Sequence, residues 1–134
     1  MSRHPGRRLL LDTHTLLWWL AGDKHLSSAA RKIIADESAV VFVSAVSAWE
    51  IATKVRLGRL EDPHGIGESL PAHVAAQAFE PLPISLEHGR RAGRLPGPHS
   101  DPFDRVLVAQ AQAEDLALVS NEEVFDAYRI NRIW

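Results

Sequence analysis

The sequence predicts an α/β fold in which helices cover both faces of a central parallel sheet of four to five strands. Two observations predict it. Short apolar segments alternate with longer segments of helical pattern along the 134 residues. The best strand candidates are apolar at every position, which is typical of parallel strands that are buried on both faces. Because 134 residues is the length of one domain and the chain shows no internal repeat, we predict a single domain over residues 7–134 after a flexible tail at 1–6.

The first half of the chain predicts two strands and three helices. In chain order they are a strand at 8–12, a helix at 13–22, a helix that starts after Ser27, a strand at 40–43 and a helix at 45–57. Ser27 and Ser44 are favoured N-cap residues, and Gly58 is a favoured residue just beyond a helix end. In the helix at 45–57, we expect Val46, Trp49 and Val55 to face the core.

The second half predicts further alternation after a loop at 61–68. The expected elements are a helix at 70–79, a strand at 81–84, a helix at 86–94, a helix at 102–114, a strand at 116–120, a short helix at 121–127 and an edge strand at 130–134. Residues 95–100 contain two prolines and a glycine and are predicted to be a loop. Asp101 followed by Pro102 predicts a helix start, because proline is favoured at the first helical position.

Composition narrows the class of protein. The formal net charge of −2 gives no general attraction to nucleic acid, so contacts with a polyanion would have to come from local basic patches. The chain has no cysteine, which excludes disulfides and thiolate metal sites. No uninterrupted apolar segment reaches the ~18 residues of a membrane span. We therefore expect a cytoplasmic protein that does not contact membranes.

Three acidic residues lie where apolar segments end. Asp12 ends the first predicted strand, Glu50 lies in the second turn of the helix that follows the second strand, and Asp104 lies in the first turn of a later helix. Sites in open parallel sheets form beyond the carboxyl ends of the strands, so the fold can bring these side chains together. Buried carboxylates require compensation, and a hard divalent cation such as Mg²⁺ or Mn²⁺ would supply it.

Each acidic residue also has a purely structural interpretation. Asp12 could cap the helix that follows it. Glu50 could pair with Lys54, four residues further along the same helix. Asp104 could belong to a capping arrangement with Asp101, although the third helical residue in such an arrangement is usually Glu or Gln. We assign Asp101 itself mainly to capping.

Four segments together resemble the PIN-domain family, and more narrowly the VapC-type toxins of bacterial toxin–antitoxin pairs. The resemblance covers residues 9–134. The segments are Leu10 to His14, Ser44 to Ile51, His99 to Arg105 with Ala109 to Ala111, and Leu118 to Phe125 with Tyr128 nearby. It implies a three-layer α/β/α fold and metal-dependent endoribonuclease activity, in which one or two Mg²⁺ or Mn²⁺ ions promote hydrolysis of an RNA phosphodiester bond.

The resemblance also assigns roles to individual residues. It implies that Asp12, Glu50 and Asp104 are catalytic metal ligands. Relatives usually have Asp where this chain has Glu122, so a fourth ligand at that position is an open question. Four residues are expected to support the site: Thr13 and Ser120 through hydroxyls that orient carboxylates or water, Arg105 by orienting the site, and Asp101 as an N-cap close to it. Ser44 and Ser47 are assigned to hydrogen bonds at a helix start.

Further residues are considered for contacts with RNA and proteins. The resemblance implies a homodimer, a cognate antitoxin and an RNA substrate. Basic residues near the predicted site are Arg105, Lys54, Arg56 and Arg59, whereas Arg90, Arg91 and Arg94 are interpreted as a solvated helix face. Trp18 and Trp19 point to different sides of a helix, so one could anchor an interface while the other packs in the core. His14 and His99 show no paired metal-ligand spacing and are interpreted as polar loop or edge residues.

Two other functions compete with the nuclease toxin. One is a catalytically inactive PIN-fold module that binds RNA or protein, for which the Glu122 departure is the sequence hint. The other is a metal-dependent phosphoesterase that acts on DNA or on a small phosphate ester. The chain has no glycine-rich phosphate loop, which argues against nucleotide hydrolases. RNA binding that survives loss of the acidic residues, without cleavage, would favour the inactive module.

Overall fold

Five parallel strands form one sheet at the centre of the molecule. The computed structural model describes residues 6–97 and 99–134. The strands are β1 (Arg8–Leu11), β2 (Val40–Ser44), β3 (Glu80–Leu82), β4 (Ala117–Val119) and β5 (Arg132–Ile133). Their order across the sheet is β3-β2-β1-β4-β5. The first strand is therefore central, and it pairs in parallel with both β2 and β4.

Helices follow the strands and cover both faces of the sheet. They are α1 (Thr13–Ala21), α2 (Ser28–Ala35), α3 (Ala45–Arg56), α4 (Leu70–Ala76), α5 (Leu86–Arg94) and α6 (Pro102–Glu114), with a short 3₁₀ helix at Glu123–Ala127. This architecture is the predicted three-layer α/β/α arrangement with a parallel sheet. Within the predicted tail at 1–6, residues 1–5 lie outside the described part, and Gly6 lies against Ser38.

Alternation along β1 divides the core into two layers. Leu9 and Leu11 pack on one face of the sheet with residues of α1, α2 and α4, whereas Leu10 packs on the other face with residues of α6. All three leucines are fully buried. Burial of each side chain stabilises the fold by about 2 kcal/mol. Since successive side chains of a strand point to opposite faces, three consecutive leucines require helices on both sides.

Local capping explains several helix boundaries. Ser27 and Ser44 accept hydrogen bonds from the backbone N–H groups of Ala30 and Val46, which confirms both as N-caps. Gly58, with φ at +71°, follows the end of α3 as predicted. Asp101 accepts from the N–H groups of Phe103 and Asp104, and this bond pattern confirms it as the N-cap of α6.

Other boundaries differ from the sequence prediction. Helix α4 ends at Ala76 rather than at Phe79, because Phe79 turns into the core and leads into β3. Strand β3 ends at Leu82, and the segment at 121–127 is a 3₁₀ helix that begins at Glu123. The loop predicted at 95–100 contains no helix or strand in its described residues, while Pro98 lies outside them.

The orientation of α3 corrects one prediction. Trp49 and Val55 were expected to face the core, but Trp49 is 57% exposed and Val55 is also exposed. The buried residues of this helix are Val46, Ser47, Glu50 and Ile51. Because consecutive helical residues are 100° apart, Trp49 and Val55 flank this stripe on opposite sides. The prediction assumed that the apolar residues of this helix face the core. The inward face instead includes the polar residues Ser47 and Glu50, and Trp49 lies outside it.

Trp18 and Trp19 are both half-buried against the core. Trp18 stacks on His25 with ring centroids 5.3 Å apart, and Trp19 donates a hydrogen bond to Gln77. Neither is the most exposed tryptophan, so a role for one of them at an interface stays a prediction. In the part of the chain that the structure describes, none of the helices has the length and apolar character that crossing a membrane requires.

Candidate functional site

Asp12 connects the central strand to the helix that follows it. Its backbone N–H donates to the carbonyl of Val119 in β4 at 3.2 Å, and its Oδ1 accepts from the N–H of Thr15 at 2.8 Å. The side chain is therefore the N-cap of α1, as the structural interpretation proposed, yet only 3% of the residue is exposed. Capping does not prevent a second role, because the interaction engages one oxygen of the carboxylate.

Glu50 is buried on the inward face of α3 and has two side-chain partners. Thr13 Oγ1 donates to Glu50 Oε1 at 2.6 Å and also lies 3.0 Å from Ser47 Oγ. On the other oxygen, Lys54 Nζ donates to Oε2 and forms the expected pair one helical turn away. Thr13 thus fixes the orientation of the Glu50 carboxylate. Ser47 was expected to form hydrogen bonds at the helix start, but its hydroxyl contacts Thr13 in the site, and Ser44 caps the helix.

Asp104 lies in the first turn of α6 and contacts a histidine from the preceding loop. Nε2 of His99 is 2.6 Å from Asp104 Oδ2. The two side chains are 20% and 15% exposed. The Asp101 carboxylate accepts the capping hydrogen bonds of the same helix, whereas the Asp104 carboxylate contacts His99 and takes no part in the cap.

Glu122 reaches the same edge of the sheet from the segment after β4. Its backbone N–H donates to Ser120 Oγ at 3.0 Å. Ser120 is fully buried. Burial raises the pKa of Asp12, and a hydrogen bond from the Ser120 side chain opposes this rise. The Ser120 hydroxyl therefore links the first and fourth acidic segments. The charge of Asp12 in turn raises the pKa of Glu122, an effect second to burial.

The electrostatics of Asp104 show that the acidic groups share one environment. Burial raises the pKa of Asp104 to about 7, and the hydrogen bond with His99 opposes this effect. The charges of Asp101, Glu122 and Glu50 reinforce the rise. Burial likewise raises the pKa of Asp12. The site therefore carries more negative charge than its protein surroundings compensate.

Lys54 supplies part of the missing positive charge. Partial burial works to lower the pKa of this ammonium group, but its hydrogen bond to Glu50 and the charges of Glu50, Asp101 and Asp104 together raise it. Its nitrogen thus lies in the field of three carboxylates. A single flexible lysine, 31% exposed, does not neutralise the whole group.

The donor set fits a divalent cation. One ligand atom from each of His99, Asp104 and Glu122 lies within 4.8 Å of the others, so these three residues can share one ion. Asp12 and Glu50 adjoin this group at the carboxyl ends of β1 and β2. Hard cations prefer carboxylate oxygen, and the excess negative charge described above favours their binding. The placement of Glu122 keeps it among the candidate ligands.

His99 is the site residue that the sequence analysis missed. It was interpreted as a polar loop residue, because metal-ligand spacing was sought only between pairs of histidines. The available signal was its position five residues before Asp104, just upstream of an Asp-Pro helix start. Tertiary contacts decide how this loop approaches the first turn of α6. No local sequence pattern encodes those contacts, so the sequence does not predict that His99 reaches Asp104.

Arg105 fixes the loop that carries His99. Its guanidinium donates to three backbone carbonyls: Ala92 at 3.0 Å, Leu95 at 2.6 Å and His99 at 3.0 Å. These bonds use three of the five N–H donors of the guanidinium and hold its plane against the backbone. Arg105 therefore fixes the backbone of the loop that carries His99, and its expected role in orienting the site stays a prediction.

Other basic residues divide between ion pairs and solvent. Arg90 and Arg91 both donate to Glu87 on the exposed side of α5, as expected for a solvated helix face. Arg56 and Arg59 are exposed at and beyond the end of α3. Lys54 is thus the basic side chain most directly engaged with the acidic residues.

An aromatic pair borders the acidic residues. Trp49 precedes Glu50 in sequence, and Phe103 precedes Asp104. Their rings meet edge to face with centroids 4.7 Å apart, and the indole is largely exposed. An exposed tryptophan that is held by a second ring offers a rigid flat surface beside the carboxylates.

Solved structures with the same fold include several toxin–antitoxin proteins. VapBC2 from Rickettsia felis, bound to a DNA fragment from its promoter, superposes with a TM-score of 0.68 at 15% identity over 94% of this chain and 97% of that chain. DNA-bound VapBC from Salmonella typhimurium gives 0.65 at 14% identity, covering 95% and 97%. The sarcin–ricin loop cleaving toxin VapC20 from Mycobacterium tuberculosis gives 0.64 at 16% identity, covering 89% and 93%.

Sequence comparison identifies the family directly. A search of curated protein sequences gives no match. The family model for the PIN domain, however, matches residues 9–131, which extend from the first core strand to just before the last strand and include every acidic residue described above. The chain therefore belongs to the PIN domain family.

Proposed function

We propose that this protein is a divalent-metal-dependent endoribonuclease and the VapC-type toxin of a bacterial type II toxin–antitoxin pair. The observation that carries the proposal is the meeting of carboxylates from four chain segments at one edge of the sheet, where burial and mutual repulsion raise the pKa of Asp104 to about 7. PIN-family membership and the toxins among the structural neighbours support the same function.

The residues of the chain divide into ligands and supports. Asp12, Glu50, Asp104 and Glu122 would hold Mg²⁺ or Mn²⁺. When bound, the cation would polarise the scissile phosphate and acidify a water molecule that attacks phosphorus. Thr13 fixes Glu50 by its 2.6 Å hydrogen bond, and Ser120 orients Asp12.

Lys54 supports the proposed site in a different way. Its ammonium group pairs with Glu50 and is held in the charged form by the surrounding carboxylates. It offers a positive charge that can attract a phosphate group to the carboxylates. Arg105 supports the geometry of the site, because three N–H groups of its guanidinium donate to backbone carbonyls of the α5 end and of the loop that carries His99.

The aromatic pair supports single-stranded RNA as the substrate. Sequence-specific RNA recognition mainly targets unpaired bases, which stack on aromatic side chains. Trp49 is exposed, borders Glu50 and is held by Phe103. A base next to the scissile phosphate would therefore stack on the indole.

The proposed partners follow from the similar structures. Several of these are complexes of a toxin with its antitoxin, some of them bound to DNA. We infer that a cognate antitoxin binds this protein in the cytoplasm and that the toxin forms a homodimer. A small reading frame next to this gene that encodes a DNA-binding amino-terminal half, and whose product inhibits the purified nuclease, would test the pairing.

Cleavage of total RNA by purified protein, freed of any inhibitor, tests the activity. We expect cleavage with Mg²⁺ or Mn²⁺ and none with EDTA. Asp12→Asn keeps the helix cap but removes one charge. It should lower the cleavage rate at least about 100-fold, the upper range of losses reported for outer partners of metal ligands.

A matched control shows whether loss of any carboxylate charge lowers cleavage or only loss of one at the proposed site. Asp36→Asn changes an exposed aspartate that accepts hydrogen bonds from Ser38 after α2, and it should leave cleavage unchanged. Equal activity of Asp12→Asn and wild type would contradict the proposed function. RNA binding that persists in both variants, without cleavage by any of the proteins, would favour the inactive binding module.

A further inference from the structure

His99, Asp104 and Glu122 form a compact group of unlike ligand atoms. The His99 Nε2 atom lies 2.6 Å from Asp104 Oδ2, and one ligand atom of each residue lies within 4.8 Å of the other two. Over residues 6–97 and 99–134, this is the one group of three potential ligands that approach so closely. A nitrogen atom thus lies among the oxygen ligands of the proposed site.

The spacing agrees with the first coordination shell of one ion. An octahedral ion with bonds of about 2.1 Å places neighbouring ligands about 3 Å apart and opposite ligands about 4.2 Å apart. Separations within 4.8 Å therefore need only a small adjustment of side chains. His99 and Asp104 are both partly exposed, at 20% and 15%, so an ion can reach the group from solvent.

The histidine is held in place from several sides. Arg105 Nη1 donates to the His99 carbonyl at 3.0 Å, and the His99 N–H donates to the hydroxyl of Tyr128 at 3.3 Å. The imidazole meets the ring of Phe125 edge to face, with centroids 5.9 Å apart. Residues of α6 and of the 3₁₀ helix region therefore hold the imidazole in its orientation toward Asp104.

A close approach of backbone to ring completes this support. Gly97 has φ at +116°, and a Cβ atom at this position would lie 3.0 Å from the ring of Tyr128. The loop can lie this near Tyr128 because glycine has no side chain. The loop before α6 therefore contacts Tyr128 through both Gly97 and His99. These contacts hold His99 beside Asp104.

We propose that His99 contributes Nε2 to the divalent-ion site, which gives this PIN domain a mixed nitrogen–oxygen ligand set that favours Mn²⁺ over Mg²⁺. The inference deepens the proposed function, since it concerns the same ion. Mg²⁺ selects oxygen ligands and retains its water, whereas imidazole suits transition metals better. To bind the cation, Nε2 would release the proton that it donates to Asp104, either to solvent or to Nδ1 by a change of tautomer, so that its lone pair is available.

The competing role is a hydrogen bond that merely orients Asp104. In that case a glutamine at position 99 would still donate to the carboxylate, and the affinities for Mn²⁺ and Mg²⁺ would change together. Direct ligation predicts a selective effect. His99→Gln should weaken Mn²⁺ binding by about tenfold or more, as loss of an important partner at a metal site does, and leave Mg²⁺ binding within about threefold.

Pulsed electron paramagnetic resonance of bound Mn²⁺ tests ligation without RNA. Wild-type protein should show ¹⁴N modulation of the Mn²⁺ echo. Labelling with ¹⁵N-histidine should replace it with ¹⁵N modulation. His99→Gln should abolish the modulation. His14→Gln is the matched control, because His14 is exposed and lies near enough to affect the pKa of Asp12 and Glu122. This variant should keep the modulation.

The outcomes separate this inference from the proposed function. Wild-type Mn²⁺ without nitrogen modulation, or modulation that survives His99→Gln, would overturn the inference even if the protein cleaves RNA. Nitrogen ligation in a protein that cleaves no RNA would uphold it while the proposed function fails. The labelled wild-type spectrum decides the question without relying on the folding of a variant, and calorimetric titration with each ion measures the selectivity.

Discussion

Individual residues at this site are stabilised in opposing ways. Asp12 caps a helix and accepts from Thr15, yet its burial raises the pKa of its carboxyl group. Glu50 is satisfied by Thr13 and Lys54, whereas the interaction of Asp104 with His99 does not offset its burial. The fold thus retains carboxylates that it stabilises only in part, which is typical of sites that bind a cation.

Asp104 should make the stability of ion-free protein depend on pH. Its pKa is about 7 in the folded protein and near the ordinary 3.8 when unfolded. The folded state therefore binds this proton more tightly, and the stabilisation present below pH 4 is lost as pH rises through 7. We expect the free energy of unfolding in EDTA to fall by up to about 1.4 kcal/mol per pH unit between pH 5 and 7, relative to Asp104→Asn.

Urea unfolding at several pH values measures this difference. Asp36→Asn serves as the control. Hydrogen bonds from Ser38 lower the pKa of the exposed Asp36, so its carboxylate stays ionised between pH 5 and 7 in the folded and the unfolded chain. Parallel pH profiles for wild type and Asp104→Asn would show that Asp104 does not carry the effect.

Trp49 provides a residue-scale test of the substrate. If an RNA base stacks on the indole, Trp49→Ala should weaken RNA binding by about 1–3 kcal/mol, the range for stacking of one base. Divalent-ion binding should not change, because Trp49 offers no ligand. Fluorescence anisotropy of a labelled single-stranded RNA measures the affinity. Leu86→Ala, at a site that is 95% exposed on another helix, is the control and should bind as wild type does.

At the scale of helices and strands, prediction succeeded where the determining interactions are local. Ser27, Ser44 and Asp101 were recognised as N-caps, because a cap needs only its own side chain and the next turn. Prediction failed at Trp49, which tertiary packing places outside the buried stripe of α3. The end of α4 was also misplaced, because burial of Phe79 is a long-range effect.

Capping of α6 by Asp101 should affect stability, whereas RNA cleavage should depend on Asp104 in the first turn of the same helix. Asp101→Ala removes the acceptor for two backbone N–H groups and should reduce the free energy of unfolding by about 1 kcal/mol. Asp101→Asn retains the acceptor and should remain close to wild type. Chemical denaturation measures both. Much of the RNA cleavage should survive in Asp101→Ala, and complete loss of cleavage in a folded Asp101→Ala protein would reverse the roles assigned to Asp101 and Asp104.

At the scale of the whole molecule, charge is unevenly distributed. The acidic residues meet at the carboxyl ends of the strands, whereas Arg7, Arg8, Arg91 and Arg129 line a cavity near their amino ends. The formal net charge of −2 does not reveal this separation. The sequence was enough to place the acidic residues at one edge, since strand order follows general rules. It was not enough to give their mutual distances, which depend on the path of the loop before α6.

A bound cation should stabilise the entire fold. Because the folded site binds the ion and the unfolded chain lacks the site, Mn²⁺ at about 100 times its Kd should add about 2.7 kcal/mol to the free energy of unfolding. Thermal unfolding with and without EDTA, on protein free of antitoxin, measures the shift. Asp12→Asn should abolish most of the shift, and its ion-free Tm should equal or exceed that of wild type.

The position of β1 at the centre of the sheet has a consequence for protein synthesis. A nascent chain that has emerged as far as α6 already contains Asp12, Glu50 and Asp104, but β1 still lacks its second neighbour and Glu122 has not been made. The last strand of the sheet consists of residues 132 and 133. The sheet can therefore close only after β4 and β5 have been made, so a nascent chain that ends at α6 does not carry an assembled site.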